Sequence, residues 1–362
     1  MLKQQKIFFE FLRFCIGSAK EIPGSLKEVD WKELYAIAQK QCLVGVLFDG
    51  IKKLPAEHVG MEKELLLQWM AESQMLEKAN VRLNDAAIQV SEWFRKKGFR
   101  TCILKGQGNA LMYPNPYSRT PGDIDIWVEG GDKRVISFVR SISPHEKACY
   151  HHIEFPSYKG VEVEVHYRPS FLLYFGHNRR LQKYYGMVKD EQFSHRVMLG
   201  EQGEIAIPTV EFNLIFQLTH IFSHLMNEGI GLRQLLDYYY VISMLSVNCE
   251  MLTSLQKELK ELGLWKFAGG IMYIMQEVFG MPASQLIIPP NEKYGKFVLN
   301  EVLEAGNFGK HDERNRFGGS QLGHNLQRVY RDMRLVKFFP AEALCEPLFR
   351  TWHFFWRLKY KK

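Results

Sequence analysis

The chain has 362 residues, 46% hydrophobic and 24% charged, an ordinary globular balance that excludes disordered, collagen-like and coiled-coil classes. It is long enough for two or three domains with a core that needs no disulfide or metal staple. Forty-seven basic against forty acidic residues give a net charge of +7, a mild excess that permits polyanionic partners, nucleic acid among them, without requiring one.

Residues 1–97 read as a helical region. Phe8, Phe9, Phe11, Leu12 and Cys15 recur at helical spacing. Lys3, Gln4, Gln5, Lys6, Glu10 and Arg13 interrupt the apolar residues, so the start does not read as a signal peptide. A second stretch, Asp30 to Leu54, carries Leu34, Ile37, Ala38, Leu43, Val46 and Leu47 on one stripe. A long helix is predicted from Gly60 to Lys97, with Gly98 as its stop and enough length to leave room for a kink.

The pattern changes over residues 98–208. Arg100 to Leu104 reads as a strand, Lys105-Gly106-Gln107-Gly108 as a turn and Asn109 to Tyr113 as a short helix. Pro114, Pro116 and Pro121 mark a loop before Gly122-Asp123-Ile124-Asp125-Ile126-Trp127-Val128, whose alternation predicts a strand with two different faces. Asp132 is placed to cap a helix through Ser141. Residues His151–Phe155 and Val161–Arg168 form a predicted hairpin, Leu172 to Asp190 a helix and Val197 to Ile207 a second hairpin. From residue 209 to 362 the reading is helical, with six striped segments and an aromatic, basic tail containing Trp352, Phe354, Phe355, Trp356, Arg357 and Lys359. That tail reads either as a terminal helix packed on the protein or as a surface for membrane or RNA. The fold class is therefore α+β: a small mixed β-sheet domain, 98–208, flanked by N-terminal and C-terminal helical regions, 1–97 and 209–362. The six cysteines are scattered without a CxxC pair, and no apolar run approaches the ~18–20 residues of a membrane span. Both features point to reduced thiols and a cytoplasmic location.

Asp123 and Asp125 lie side by side on the predicted strand, about 6–7 Å apart, with Ile124 and Ile126 turned the other way. Two carboxylates so placed suit a divalent ion, although such pairs also occur on wet strand faces. Val161-Glu162-Val163-Glu164-Val165-His166 alternates in the same manner and offers a third carboxylate if it lies beside the first strand. Lys105-Gly106-Gln107 is a glycine turn between strand and helix, a place for phosphate, with Arg119 and Gly122 nearby. It is not a Walker A loop. His151 and His152 open a strand and could line the same cleft or serve the strand's own packing. His220 and His224, at i and i+4, could share a zinc ion or serve as hydrogen-bonding core residues. Asp237 reads as a buried acid paired with Arg233 at i−4.

Taken together, Leu104-Lys105-Gly106, then Arg119-x-x-Gly122-Asp123-Ile124-Asp125-Ile126, then Val163-Glu164-Val165-His166-Tyr167 resembles the uncharacterised bacterial branch of the DNA polymerase beta-like nucleotidyltransferase superfamily. The helical run Leu218 to Asp237 is similar to that branch's helical half, and the resemblance spans roughly residues 30 to 245. It implies two Mg²⁺ ions, with Mn²⁺ as an alternative, held by Asp123, Asp125 and Glu164, and transfer of a nucleoside monophosphate from an NTP to an acceptor hydroxyl. Lys105, Gly106, Gln107, Arg119 and Gly122 become the implied nucleotide and phosphate contacts, and His152 and His166 line the cleft. Lys105-Gly106 stands where the superfamily usually has Gly-Ser, and Glu164 where a third aspartate is commoner. Three further readings stand beside this one: an inactive binding or regulatory module of the toxin–antitoxin kind, an RNA-modifying enzyme, and a different phosphoryl transfer such as kinase-like chemistry.

Overall fold

The computed structural model describes residues 3–201, 203–246, 249–309, 312, 314 and 321–360. Four helices open the chain: α1 (Lys3–Ile16), α2 (Trp31–Lys40), α3 (Val44–Ile51) and α4 (Lys63–Lys96). Asp30 starts α2 by accepting hydrogen bonds from the backbone N–H groups of Lys32 and Glu33. The stretch expected to be continuous from Asp30 to Leu54 breaks after α2, where Cys42 takes the left-handed φ of +55°. The predicted long helix is 34 residues without interruption. Gly98, at φ +81°, turns the chain out of it.

A four-stranded sheet follows, made of β1 (Thr101–Ile103), β2 (Ile124–Val128), β3 (His152–Tyr158) and β4 (Val161–His166), in the order β1-β2-β4-β3. Strand β2 is antiparallel to β1 and parallel to β4, and β3 is antiparallel to β4, so the sheet is mixed as expected. The β3–β4 turn uses Lys159 and Gly160, both at positive φ, the backbone that matches strand twist in a two-residue hairpin. The short helix α5 is a single turn, Gln107–Ala110, rather than Asn109 to Tyr113, and α6 (Gly131–Ile142) lies between β2 and β3. Beyond the sheet come α7 (Phe175–Ser194), the hairpin β5 (Arg196–Leu199) and β6 (Gly203–Ala206), and α8 (Val210–Asn227). The rest is helical: α9 (Leu232–Ser243), α10 (Cys249–Glu261), α11 (Trp265–Glu277), α12 (Glu292–Ala305), α13 (Gln321–Leu335) and α14 (Pro340–Lys359).

The period-two pattern of the strands sorts their side chains into two environments. Ile124, Ile126, Val128, Ile153, Val163 and Val165 turn to one face and pack with Leu83, Ala87, Val90 and Phe94 of α4 and with Val135, Ile136 and Val139 of α6. The opposite face carries the acids and histidines. A larger core joins α1–α3 to α8, α9, α11, α12 and α14, so helices from both ends of the chain bury one another. The aromatic tail is the helix α14. Phe349, Trp352 and Trp356 ring Tyr150 at 5.5, 5.3 and 6.3 Å between centroids, which seats the helix beside the sheet. Lys361 and Lys362 of the predicted basic end lie outside the described residues. Among the described residues no helix is long and apolar enough to cross a membrane.

Candidate active site

The loop before β2 is tied down from two helices. Asn80 of α4 donates to the carbonyls of Tyr117 and Arg119 at 2.9 and 2.8 Å. Thr120 donates to the Cys42 carbonyl at 2.8 Å. At Gly45 of α3 a side chain would lie 2.3 Å from the Ser118 carbonyl oxygen, so only glycine permits that approach. The loop therefore delivers Asp123 at a fixed place, and β2 carries Asp125 two residues on. Pairing of β2 with β4 sets Asp125 directly opposite Glu164. As a result, oxygens of Asp123, Asp125 and Glu164 all lie within 4.8 Å of one another.

Two cations meet this cluster. The Leu104 N–H donates to the Asp125 carbonyl at 2.9 Å, and the next residue, Lys105, places its Nζ 2.9 Å from Asp125 Oδ1. His166 Nε2 lies 3.0 Å from the same oxygen and 3.4 Å from Glu164 Oε2. Asp125 and His166 are 3% and 2% exposed. Burial works against ionisation of Asp125, but Lys105 first and then His166 outweigh it and hold the carboxyl well below the usual range. His166 is buried too, yet its bonds to Asp125 and Glu164 push it up to about 9. Asp123 responds oppositely. Repulsion from Asp125, reinforced by burial, raises it to about 6 in spite of Lys105. Three carboxylates thus face two cations, and one negative charge is left over.

Lys105 is held from behind by α8, with its Nζ 2.7 Å from His220 Nε2. Burial and the Lys105 charge keep His220 well below its ordinary value, so it accepts the ammonium's hydrogen bond as a neutral ring. His224 stacks one turn on, Nε2 to Nε2 at 3.0 Å, with its Nδ1 3.3 Å from Glu228. Among the described residues the metal-capable groups of three or more are Asp123/Asp125/Glu164 and His152/Glu164/His166, so the zinc reading of His220 and His224 finds no third ligand. His220 instead aims Lys105. The sequence offered no signal for that contact, which joins residues 115 positions apart.

Other expected contacts are engaged elsewhere. Arg119 does not project toward phosphate. Its Nε and Nη2 donate to the two carboxylate oxygens of Asp237 at 2.8 Å each. Tyr113 donates to the same carboxylate at 2.7 Å. Asp237 therefore takes its two-point hydrogen bonds from Arg119, while Arg233, whose Nη1 donates to the Thr120 carbonyl at 2.9 Å, adds electrostatic attraction to the same carboxylate. Gln107 is buried and turned into α4, where it donates to Asn84 and to the Asn80 carbonyl. The one-turn α5 supplies no helix terminus for an anion. Lys105, Gly106, Gly122 and Asp123 do come together around a small recess of about 40 Å³.

Two larger cavities share lining residues with it. One, about 560 Å³, lies between the sheet, α8 and α14 and is lined by Lys105, Asp123, His152, Glu164 and His166. The other, about 720 Å³, is lined by Arg82, Lys159 and Arg233 together with Gly122 and Asp123. Asp123 borders both. Each volume is of the size that holds a small-molecule ligand.

Residues 27–280 match the profile of a family described as uncharacterised nucleotidyltransferase. No curated protein matches the chain. Among solved structures, the chain is similar to an antigenic nucleotidyltransferase-like protein from Paracoccidioides brasiliensis, at 15% identity and a TM-score of 0.30, over 50% of this chain and 86% of that one.

Proposed function

The chain belongs to the family of uncharacterised nucleotidyltransferases, and from that membership we propose that it moves a nucleoside monophosphate from an NTP to an acceptor hydroxyl at Asp123, Asp125 and Glu164. The observation that carries the reading is the uncompensated charge: three carboxylates within 4.8 Å of one another, of which Asp123 borders both cavities. Their all-oxygen donor set fits Mg²⁺ or Mn²⁺. Such ions, when bound, neutralise the transferring phosphate and lower the pKa of the attacking hydroxyl.

The chain's own residues divide the remaining work. Asp125, held ionised by Lys105 and His166, and Asp123, ionised above about pH 6, would hold the ion. Lys105, fixed by His220, places a permanent positive charge beside them for a phosphate oxygen. Glu164, 33% exposed to solvent, is the carboxylate best placed to accept the acceptor's proton. Arg82, Lys159 and Arg233 line the larger cavity and give the triphosphate a basic wall. The histidine-lined cavity, bounded by α8 and α14, is left for the acceptor.

Thermal denaturation with each of the four NTPs, with and without Mg²⁺ or Mn²⁺, tests the reading alongside pyrophosphate release. One NTP should raise the midpoint only with the ion. A ligand at 100 times its dissociation constant adds about 2.7 kcal/mol. Asp125→Asn should abolish that shift and lower turnover at least about 100-fold, the scale of losing one electrostatic stabiliser. The absence of any ion-dependent shift with all four NTPs would refute nucleotidyl transfer.

A further inference from the structure

Six of the chain's twelve histidines, His151, His152, His166, His220, His224 and His353, line the 560 Å³ cavity. Nucleotidyl transfer as described draws on His166 and His220 alone, and only as neighbours of Asp125 and Lys105. The strand register explains why others gather here. His152 of β3 sits opposite His166 of β4, and Glu164 precedes His166 by two residues. All three side chains therefore leave the same face of the sheet.

Their geometry is that of ligands around an ion. Glu164 Oε2 lies 3.4 Å from His166 Nε2 and 3.4 Å from His152 Nδ1, and donor atoms of the three residues fall within 4.8 Å of one another. Donors about 2.1 Å from a tetrahedral ion stand about 3.4 Å apart. The outer contact fits as well. His166 Nδ1 is 3.3 Å from the Arg168 carbonyl oxygen, which only accepts, so Nδ1 keeps its proton, and an entering ion would displace the proton that Nε2 shares with Asp125 and Glu164. A carbonyl behind an imidazole in this manner fixes the tautomer of metal-binding histidines. His166 is 2% exposed, which leaves its ring little freedom to turn away.

We propose that His152, His166 and Glu164 form a second cation site, selective for a borderline transition ion of the Zn²⁺ or Co²⁺ class, with its open position toward the cavity. Two imidazoles favour such an ion over Mg²⁺, which prefers oxygen ligands in an octahedron. The site shares Glu164 with the carboxylate cluster, so filling it changes what Glu164 can offer to Asp123 and Asp125. It does not depend on nucleotidyl transfer and survives if that reading fails.

The experiment is a titration of chelator-stripped full-length protein with Co²⁺ in the presence of millimolar Mg²⁺, read by visible ligand-field absorption, with Zn²⁺ calorimetry in parallel. One equivalent should bind with the bands of a low-coordinate nitrogen and oxygen site, and Zn²⁺ should displace it. His152→Gln, at a position 14% exposed by side chain, should weaken Co²⁺ at least about 100-fold, the upper end of what losing an outer-shell partner costs. His220→Gln should leave it unchanged, and circular dichroism checks that both variants fold. Asp123→Asn should keep the Co²⁺ bands while losing Mg²⁺-dependent nucleotide binding, which separates this site from the catalytic reading. Competition by millimolar Mg²⁺, unaltered binding in His152→Gln, or loss in His220→Gln in its place would each overturn the assignment.

Discussion

Asp125 and Asp237 are both acids buried to within 3–5% exposure, and both border the same small recess, yet their surroundings differ in kind. Asp237 meets the Arg119 guanidinium in a two-point fork, and Tyr113 supplies a further donor. Its single negative charge is more than balanced, by Arg119 and by the attraction of nearby Arg233, and both oxygens are satisfied. Asp125 meets a lysine and a histidine on the same oxygen while two more carboxylates stand within 4.8 Å. The first arrangement is closed and joins α9 to the loop that precedes β2. The second carries excess negative charge and opens on a cavity. Burial of an acid therefore says little about its role; the count of neighbouring charges and the geometry of their donors separate a joint from a site.

The largest effect should come from breaking the closed pair. Arg119→Met leaves Asp237 buried without its two-point partner and with only the attraction of Arg233, a change that costs toward the lower end of about 3–5 kcal/mol. Urea denaturation should show the midpoint fall with the slope unchanged. Arg119→Lys should recover little of the loss, because an ammonium cannot make the two parallel bonds of a guanidinium. A loss below 1 kcal/mol would mean that the pair is solvated and that the contrast with Asp125 is false.

The open cluster should respond with the opposite sign. Repulsion from Asp125, added to burial, raises Asp123 from 3.8 to about 6, so the folded state prefers this group protonated. Its favourable contribution is complete below about pH 4 and is lost as pH rises through about 6. At pH 7.5, without divalent ions, Asp123→Asn should therefore be more stable than the wild type by as much as ~3 kcal/mol, from about 1.36 kcal/mol for each pK unit. The advantage should shrink steadily between pH 6 and pH 4. Adding Mg²⁺ should stabilise the wild type and not the variant, reversing the order. Chemical denaturation in chelator across pH 4–8 measures all of this, and a variant less stable than the wild type at pH 7.5 would remove the claim of unrelieved repulsion.

The alternation in Gly122–Val128 and Val161–His166 was enough to anticipate which side chains share a face, because a strand leaves no other choice once its apolar side is buried. The placement of Glu164 beside Asp125 followed, since β4 is the alternating strand that carries acids. Gly98 and Gly160 marked their turns, because glycine alone takes a positive φ without strain. The break at Cys42 had no such sign, because a left-handed cysteine is set by its surroundings. Contacts across the chain were the hardest to read. Arg119 and Asp237 are separated by 118 positions, and Lys105 and His220 by 115. A lysine, an arginine and a histidine carry no local pattern that names a distant partner. Arg119 accordingly looked like a phosphate ligand, and Arg233, four residues away, looked like the main partner of Asp237.

The smallest expected effect sharpens the comparison from the outside. Lys159 and Asp85 form an ion pair of 3.1 Å with side chains 57% and 44% exposed, where water and salt screen most of the attraction. Lys159→Ala should change folding stability by no more than about 0.5 kcal/mol. The same ammonium borders the basic cavity with Arg82 and Arg233, where a triphosphate would feel three cations together. Nucleotide affinity should therefore fall about fivefold, roughly 1 kcal/mol, and more steeply at low ionic strength, where screening is weak. Equilibrium binding at two salt concentrations, beside a urea melt, reads both quantities. Equal changes in stability and affinity would assign Lys159 to the scaffold, with Arg119. A change in affinity alone would place it with Lys105, among charges whose partner is a ligand.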